Sequence, residues 1–159
     1  LSDKGTLRFV GLYLFYIGLF TLLYINFKDD LRFLNTSTAA TLSIFLDMLG
    51  VHTTVNEAII YIDLIALEVI GECTGIYEIV VYSGCVLAYP ASNVKRLTGI
   101  AIGIPVVLGI NMVRLISLAF IGLKYPSMFN YAHYYLWQVT LIIIVVFVML
   151  VWIEKVVRK

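Results

Sequence analysis

The sequence predicts an all-α polytopic membrane protein: a bundle of about four transmembrane helices, one short interfacial or re-entrant helix and a small extracytoplasmic β-hairpin. Three observations carry this. Of 159 residues, 62% are hydrophobic and 13% charged, more apolar surface than one water-soluble core of this size can hide. Three apolar runs, Leu7 to Phe27, Leu97 to Leu123 and Tyr135 to Ile153, are each long enough to cross about 30 Å of hydrocarbon as helix. Between them, "TTVNEAIIYIDLIALEVIGEC" turns to a pattern rich in Ile, Val and Tyr. Residues 1–159 read as a single integral-membrane domain without internal repeats. A net charge of +1 provides no basic field for a polyanion, so nucleic acid is not expected as a partner.

Taken in order, the first run has Lys4 and Arg8 before it and no small-residue cleavage site after it, which makes it a retained helix rather than a signal peptide. Ser37 to Leu49 is too short to span and is interrupted by Thr38, Thr41, Ser43 and Asp47; it is the interfacial or re-entrant helix. After Gly50, two strands, Val55 to Ile62 and Ile65 to Ile70, are expected to form the hairpin. A helix over Val55 to Ile70 is the competing reading, but Glu57, Asp63 and Glu68 would make it a poor span. Thr74 to Tyr89, at the short limit of a span, is bounded by Gly75 and Pro90. Lys95 and Arg96 in "PASNVKR", the tail "EKVVRK", and Lys4 with Arg8 all belong on the cytoplasmic side. The protein is therefore expected to be multi-pass in the cell membrane, with Cys73 on the extracytoplasmic face.

An ionisable group within the hydrocarbon needs a partner or a task. Arg114 lies some 26 Å along its helix from Leu97, in the outer half of the membrane, and Asn111, three positions earlier, shares its face. Simple snorkelling to the headgroups is the alternative. Cys73 stands at or just before a helix start, where unpaired N–H groups and the macrodipole favour thiolate, and Gly71 and Gly75 are expected to leave access to it. A small apolar filler is the bland alternative, and it is the reading adopted for Cys85. As both cysteines read as part of one helix, about 18 Å apart, they are expected to be free thiols. His133 closes the loop "KYPSMFNYAHYYLWQ" at the same interface; its alternative is an aromatic belt with Tyr131, Tyr134, Tyr135 and Trp137. His52, Glu68 and Glu78 receive no catalytic role. Asn111, Glu72 and Thr74 are expected to contact substrate, and neither a metal nor a cofactor is expected.

Thiol, guanidinium and imidazole at one depth suit covalent acyl transfer: Cys73 attacks a peptide carbonyl, Arg114 holds the oxyanion and His133 moves protons. "ECTGIYE" with Cys73, "NMVRLISLA" with Asn111 and Arg114, and the downstream His133 resemble the three signature blocks of the exosortase and archaeosortase family of membrane-embedded cysteine transpeptidases. "MLGVHTTVNEAIIYI" followed by "LEVIGEC" is similar to that family's approach to its cysteine, so the resemblance covers roughly Leu49 to His133. It implies exported, membrane-anchored protein substrates carrying a C-terminal sorting tail, cleaved on the outer face and passed to a membrane lipid or another acceptor. In that family the third catalytic position is histidine in some branches and arginine in others. The short chain, lacking the extra N-terminal spans of longer members, is expected on the archaeosortase side. Two other classes fit the residues: a non-catalytic lipid-binding membrane scaffold, and a membrane protease that hydrolyses without transfer. A repeat-built transporter lacks its paired broken helices here.

Overall fold

The computed structural model describes residues 3–28, 30–63 and 65–158, with the side chains of 3 and 136–138 outside the description; the expected belt position of Trp137 thus falls outside the described residues. Helix α1 (Asp3–Phe27) leads into α2 (Arg32–Met48), strands β1 (Thr54–Asn56), β2 (Ile59–Ile62) and β3 (Ile65–Glu68), and a 3₁₀ turn at Gly71–Cys73. Helices α3 (Ile76–Ala88), α4 (Asn93–Lys124) and α5 (Phe129–Trp152) follow. Helices α1, α4 and α5 include stretches long and apolar enough to cross a membrane. With 13 residues, about 20 Å of helix, α3 is apolar but shorter than the hydrocarbon core.

Helices α1 and α3 pack antiparallel: Phe9 meets Tyr89 edge-on at 6.4 Å between ring centroids and Tyr24 meets Tyr77 at 5.4 Å. Small residues on α4 let aromatic side chains of its neighbours approach its backbone. The Tyr82 hydroxyl donates to the Gly99 carbonyl at 3.0 Å, and Trp152 Nε1 donates to the Lys95 carbonyl at 3.0 Å. A Cβ at Gly103 would overlap the Tyr82 ring. Gly103→Ala is therefore expected to lower stability by about 1–3 kcal/mol through overpacking, read as a lower thermal midpoint in detergent; an unchanged midpoint contradicts this contact.

One end of the bundle holds Lys95 and Arg96 at the start of α4. Lys95 Nζ donates to the Val157 carbonyl at 2.8 Å, and Arg96 donates to the Tyr89 carbonyl through Nε and Nη2 at 3.2 and 3.0 Å. These bonds bring the start of α4 to the ends of α3 and α5, and Phe9 of α1 reaches the same Tyr89. The sheet, α2 and the Gly71–Cys73 turn occupy the opposite end.

Two expected elements differ in extent. The short helix begins at Arg32, five residues before Ser37, and runs to Met48. Its polar run is accommodated locally, as in the bond from Thr41 Oγ1 to the Ser37 carbonyl at 2.8 Å. Its buried residues Ala39, Leu42, Ser43 and Leu46 repeat at helical spacing; Ala39, Leu42 and Leu46 share a core with Ile60, Ile62, Leu115 and Ala119, and the Ser43 hydroxyl bonds that of Thr53. The expected hairpin is a three-stranded antiparallel meander, β1-β2-β3. A turn at Glu57 and Ala58 divides the first expected strand, and Glu57 takes the left-handed conformation at φ 54°. A two-residue link reverses a strand by using such positive-φ positions, which the polar pair Asn56–Glu57 marks.

Candidate active site

The Gly71–Cys73 turn is built by local bonds. Cys73 N–H donates to the Ile70 carbonyl at 2.8 Å, and Thr74 Oγ1 donates to the Gly71 carbonyl at 2.7 Å. Gly75 follows in the left-handed region at φ 81°, a conformation that glycine adopts without steric cost, and a Cβ there would sit 3.1 Å from Asn111 Nδ2. At Gly71 a Cβ would press on the Tyr24 hydroxyl. The two glycines therefore serve close packing and a sharp turn, not the open approach expected of them.

Helix α4 grips this turn from behind. Asn111 Nδ2 donates to the Cys73 carbonyl at 2.8 Å. Arg114 Nη1 donates to Glu78 Oε1 at 3.0 Å, and Nη2 to the Glu72 carbonyl at 3.3 Å. Asn111 is 2% exposed, Arg114 5% and Glu78 0%, so Arg114 turns into the protein rather than snorkelling outward. The fork expected to receive an oxyanion is already engaged by Glu78 and the Glu72 carbonyl. Glu72 contributes its backbone here, and the Thr74 hydroxyl is committed to the turn it caps. Glu78 is the participant that the sequence reading left out. The principle that singled out Arg114, an ionisable group within an apolar segment, applies equally to Glu78 in "IYEIVVYSG".

Among the described residues, Glu78 Oε2, Asn111 Oδ1 and Arg114 Nε are buried without a hydrogen-bond partner. Each such group costs about 1–3 kcal/mol, and a costly polar cluster of this kind is a mark of a functional centre.

His133 lies on the first turns of α5, half-buried, its ring stacked on Phe129 at 6.0 Å between centroids. It shares with Cys73 the lining of a cavity of about 280 Å³, walled also by residues 66–70 of the sheet end and by Leu115 and Leu118 of α4. Thr74 and Asn111 line a second cavity, about 460 Å³, between α2 and α4. The fold thus brings Cys73 and His133 to one cavity, and packs Arg114, Asn111 and Glu78 behind the cysteine turn. Burial pushes the Cys73 thiol up and the Glu72 and Glu78 carboxylates add to this, against the opposing pull of the Ile70 hydrogen bond and Arg114. Cys73 sits just ahead of α3, which begins at Ile76, and with Glu78 offsetting the charge of Arg114 its surroundings favour the thiol over the thiolate. Both cysteines are free, and Cys85, read as having no polar neighbour, lies near the Tyr13 hydroxyl.

Helices of membrane-crossing length with a buried polar centre toward one end define a multi-pass membrane protein. The family model described as transmembrane exosortase matches residues 2–153, and the chain belongs to that family, one of membrane sorting transpeptidases. No curated protein and no solved structure matches it.

Proposed function

We propose that the chain is a cysteine transpeptidase that cleaves the C-terminal sorting tail of exported proteins at the extracytoplasmic membrane face and passes them to a membrane lipid or another nucleophile, on the archaeosortase side of the family. The observation that carries this is the cavity shared by Cys73 and His133, with the cysteine turn held by Asn111 and Arg114. The basic residues at the opposite end favour placing that end in the cytoplasm, with α3 as a short fourth span. A site at the outer end, reached from the lipid, meets a membrane-tethered peptide at high effective concentration.

In the proposed cycle His133 takes the Cys73 proton as sulfur attacks the scissile carbonyl. The S–C bond forms and the C–N bond breaks, and His133 returns the proton to the leaving amine. An acceptor amine or hydroxyl then attacks the thioester, giving its proton through His133, and Cys73 regains its thiol. Arg114 keeps the turn in register through the Glu72 carbonyl; its hydrogen bonds go to the protein and Glu78 offsets its charge, so its contribution is positioning rather than a direct fork.

Co-expression of a tail-bearing exported protein with the wild type and with Cys73→Ala, followed by mass spectrometry of size and lipid modification, tests this. Cys73→Ala is expected to leave the tail uncleaved. Normal processing in that variant removes the nucleophile assignment and returns the lipid-binding scaffold as the better reading; cleavage without addition of an acceptor identifies a hydrolase.

A further inference from the structure

Resting on that reading of Cys73 and His133, we propose that the peptide is bound as an added β-strand on the free edge of β3, its main chain paired with Ala66 and Glu68 and its scissile bond carried toward Cys73.

The strand order β1-β2-β3 leaves β3 with a partner on one side only. Its register pairs Ile62 with Ile65 and Ile60 with Leu67, and the Val69 N–H continues the ladder to the Ala58 carbonyl at 2.8 Å. Backbone groups alternate in direction along an antiparallel strand. Positions 65, 67 and 69 therefore face β2, and Ala66 and Glu68 turn both N–H and C=O to the open side. Among the described residues, no turn or loop hydrogen bond reaches these four groups.

The cavity lies along that edge. Successive strand residues point to opposite faces, so a cavity touching all of Ala66 to Ile70 follows the rim of the strand rather than one face, and the other rim is occupied by β2. Cys73 and His133 line the same cavity. An unpaired edge beside a nucleophile and a base offers alternating donors and acceptors that match an extended peptide, the basis of recognition by strand addition. The main chain then supplies affinity, and the apolar wall of Leu115, Leu118 and Phe129 selects small or apolar side chains at alternate positions of the peptide.

Proline tests the edge, because it removes an N–H and is tolerated where that N–H does not serve the sheet. Ala66→Pro removes a donor from the open side of β3. Val55→Pro is the matched lesion on β1: Val55 pairs with Ile60, whose backbone groups serve β3, so its N–H also faces outward, at the opposite edge of the sheet. Each is co-expressed with the tail-bearing exported protein and compared with Cys73→Ala. Ala66→Pro is expected to cut processing about tenfold or more, since a pairing bond is lost and the ring blocks the edge, with Val55→Pro close to wild type. Wild-type processing in Ala66→Pro, or equal loss in both proline variants, overturns strand addition while leaving the nucleophile assignment intact. Processing that survives Cys73→Ala overturns both. If Ala66→Pro does not accumulate, photocrosslinking decides: in the Cys73→Ala background, benzoylphenylalanine replacing Glu68 is expected to capture the tail-bearing protein several-fold more than the same group replacing Tyr61 on the central strand. Equal capture, or none, overturns the proposal.

Discussion

Glu78→Ala is expected to destabilise the protein by about 3–5 kcal/mol, because it leaves Arg114 as an uncompensated charge inside the fold. Arg114 is 5% exposed and its partner carboxylate 0%, so water cannot replace the lost oxygen without opening the packing of α3 on α4. The remaining protein acceptor for the guanidinium is the Glu72 carbonyl at 3.3 Å, a neutral group. Removing both charges together, as in Glu78→Leu with Arg114→Met, is expected to restore most of the loss, since an apolar pair of similar volume avoids the desolvation penalty. Thermal unfolding in detergent separates the cases: a large drop for Glu78→Ala and recovery in the double variant. Recovered folding is not expected to recover tail processing, because the double variant lacks the tie from Arg114 to the Glu72 carbonyl that holds the cysteine turn. A double variant that both folds and processes normally would show that the buried pair serves neither register nor catalysis.

The asymmetry between Arg114 and Glu78 shows how far the sequence could be read. The spans were legible because their lengths and hydropathy are set by the bilayer, and α1, α4 and α5 all contain the apolar runs from which they were expected. Arg114 stood out as a lone cation in "GINMVRLISLAF". Glu78 was given no catalytic role, alongside Glu68. Only the spatial contact between α3 and α4 reveals the pair, as positions 78 and 114 are linked by no periodicity. The same limit explains the glycines. Their presence beside Cys73 was visible, but whether they open a path or admit Tyr24 and Asn111 depends on neighbours from α1 and α4.

Where β-structure began was legible from composition, and the number of strands was not. Asn56 and Glu57 fell inside the first expected strand, Val55 to Ile62, whereas left-handed Glu57 reverses the chain. This matters for the site, because the third strand is what brings an open edge to the cavity beside Cys73. The surroundings of Cys73 oppose a thiolate for a related reason. A helix start supplies its field only along the axis and within its first turn, and Cys73 sits in a separate 3₁₀ turn ahead of α3, enclosed by apolar residues and near two carboxylates.

His133→Ala is expected to reduce tail processing at neutral pH by about 10²–10⁴-fold, the usual contribution of a positioned general base. The reason lies in the state of the nucleophile. Burial and the carboxylates of Glu72 and Glu78 hold the Cys73 thiol above its ordinary value, so near neutrality the sulfur is protonated, and attack requires a group that removes that proton. His133 lines the same cavity, and an imidazole can both take and return a proton. Without it, hydroxide must do the work. The thiolate fraction of a group whose pKa is raised grows about tenfold per pH unit below that pKa, from the definition of the ionisation equilibrium. Processing by His133→Ala in proteoliposomes should therefore climb steeply with pH where the wild type is nearly level, and the gap between them should narrow in alkaline buffer. A substitution that merely loosened the start of α5, by removing the stack on Phe129, would lower activity without this slope. His133→Phe preserves an aromatic ring against Phe129 and should show the same alkaline recovery as His133→Ala. Near-normal turnover in either variant, or a deficit independent of pH, would remove His133 from proton transfer and leave Cys73 needing another base.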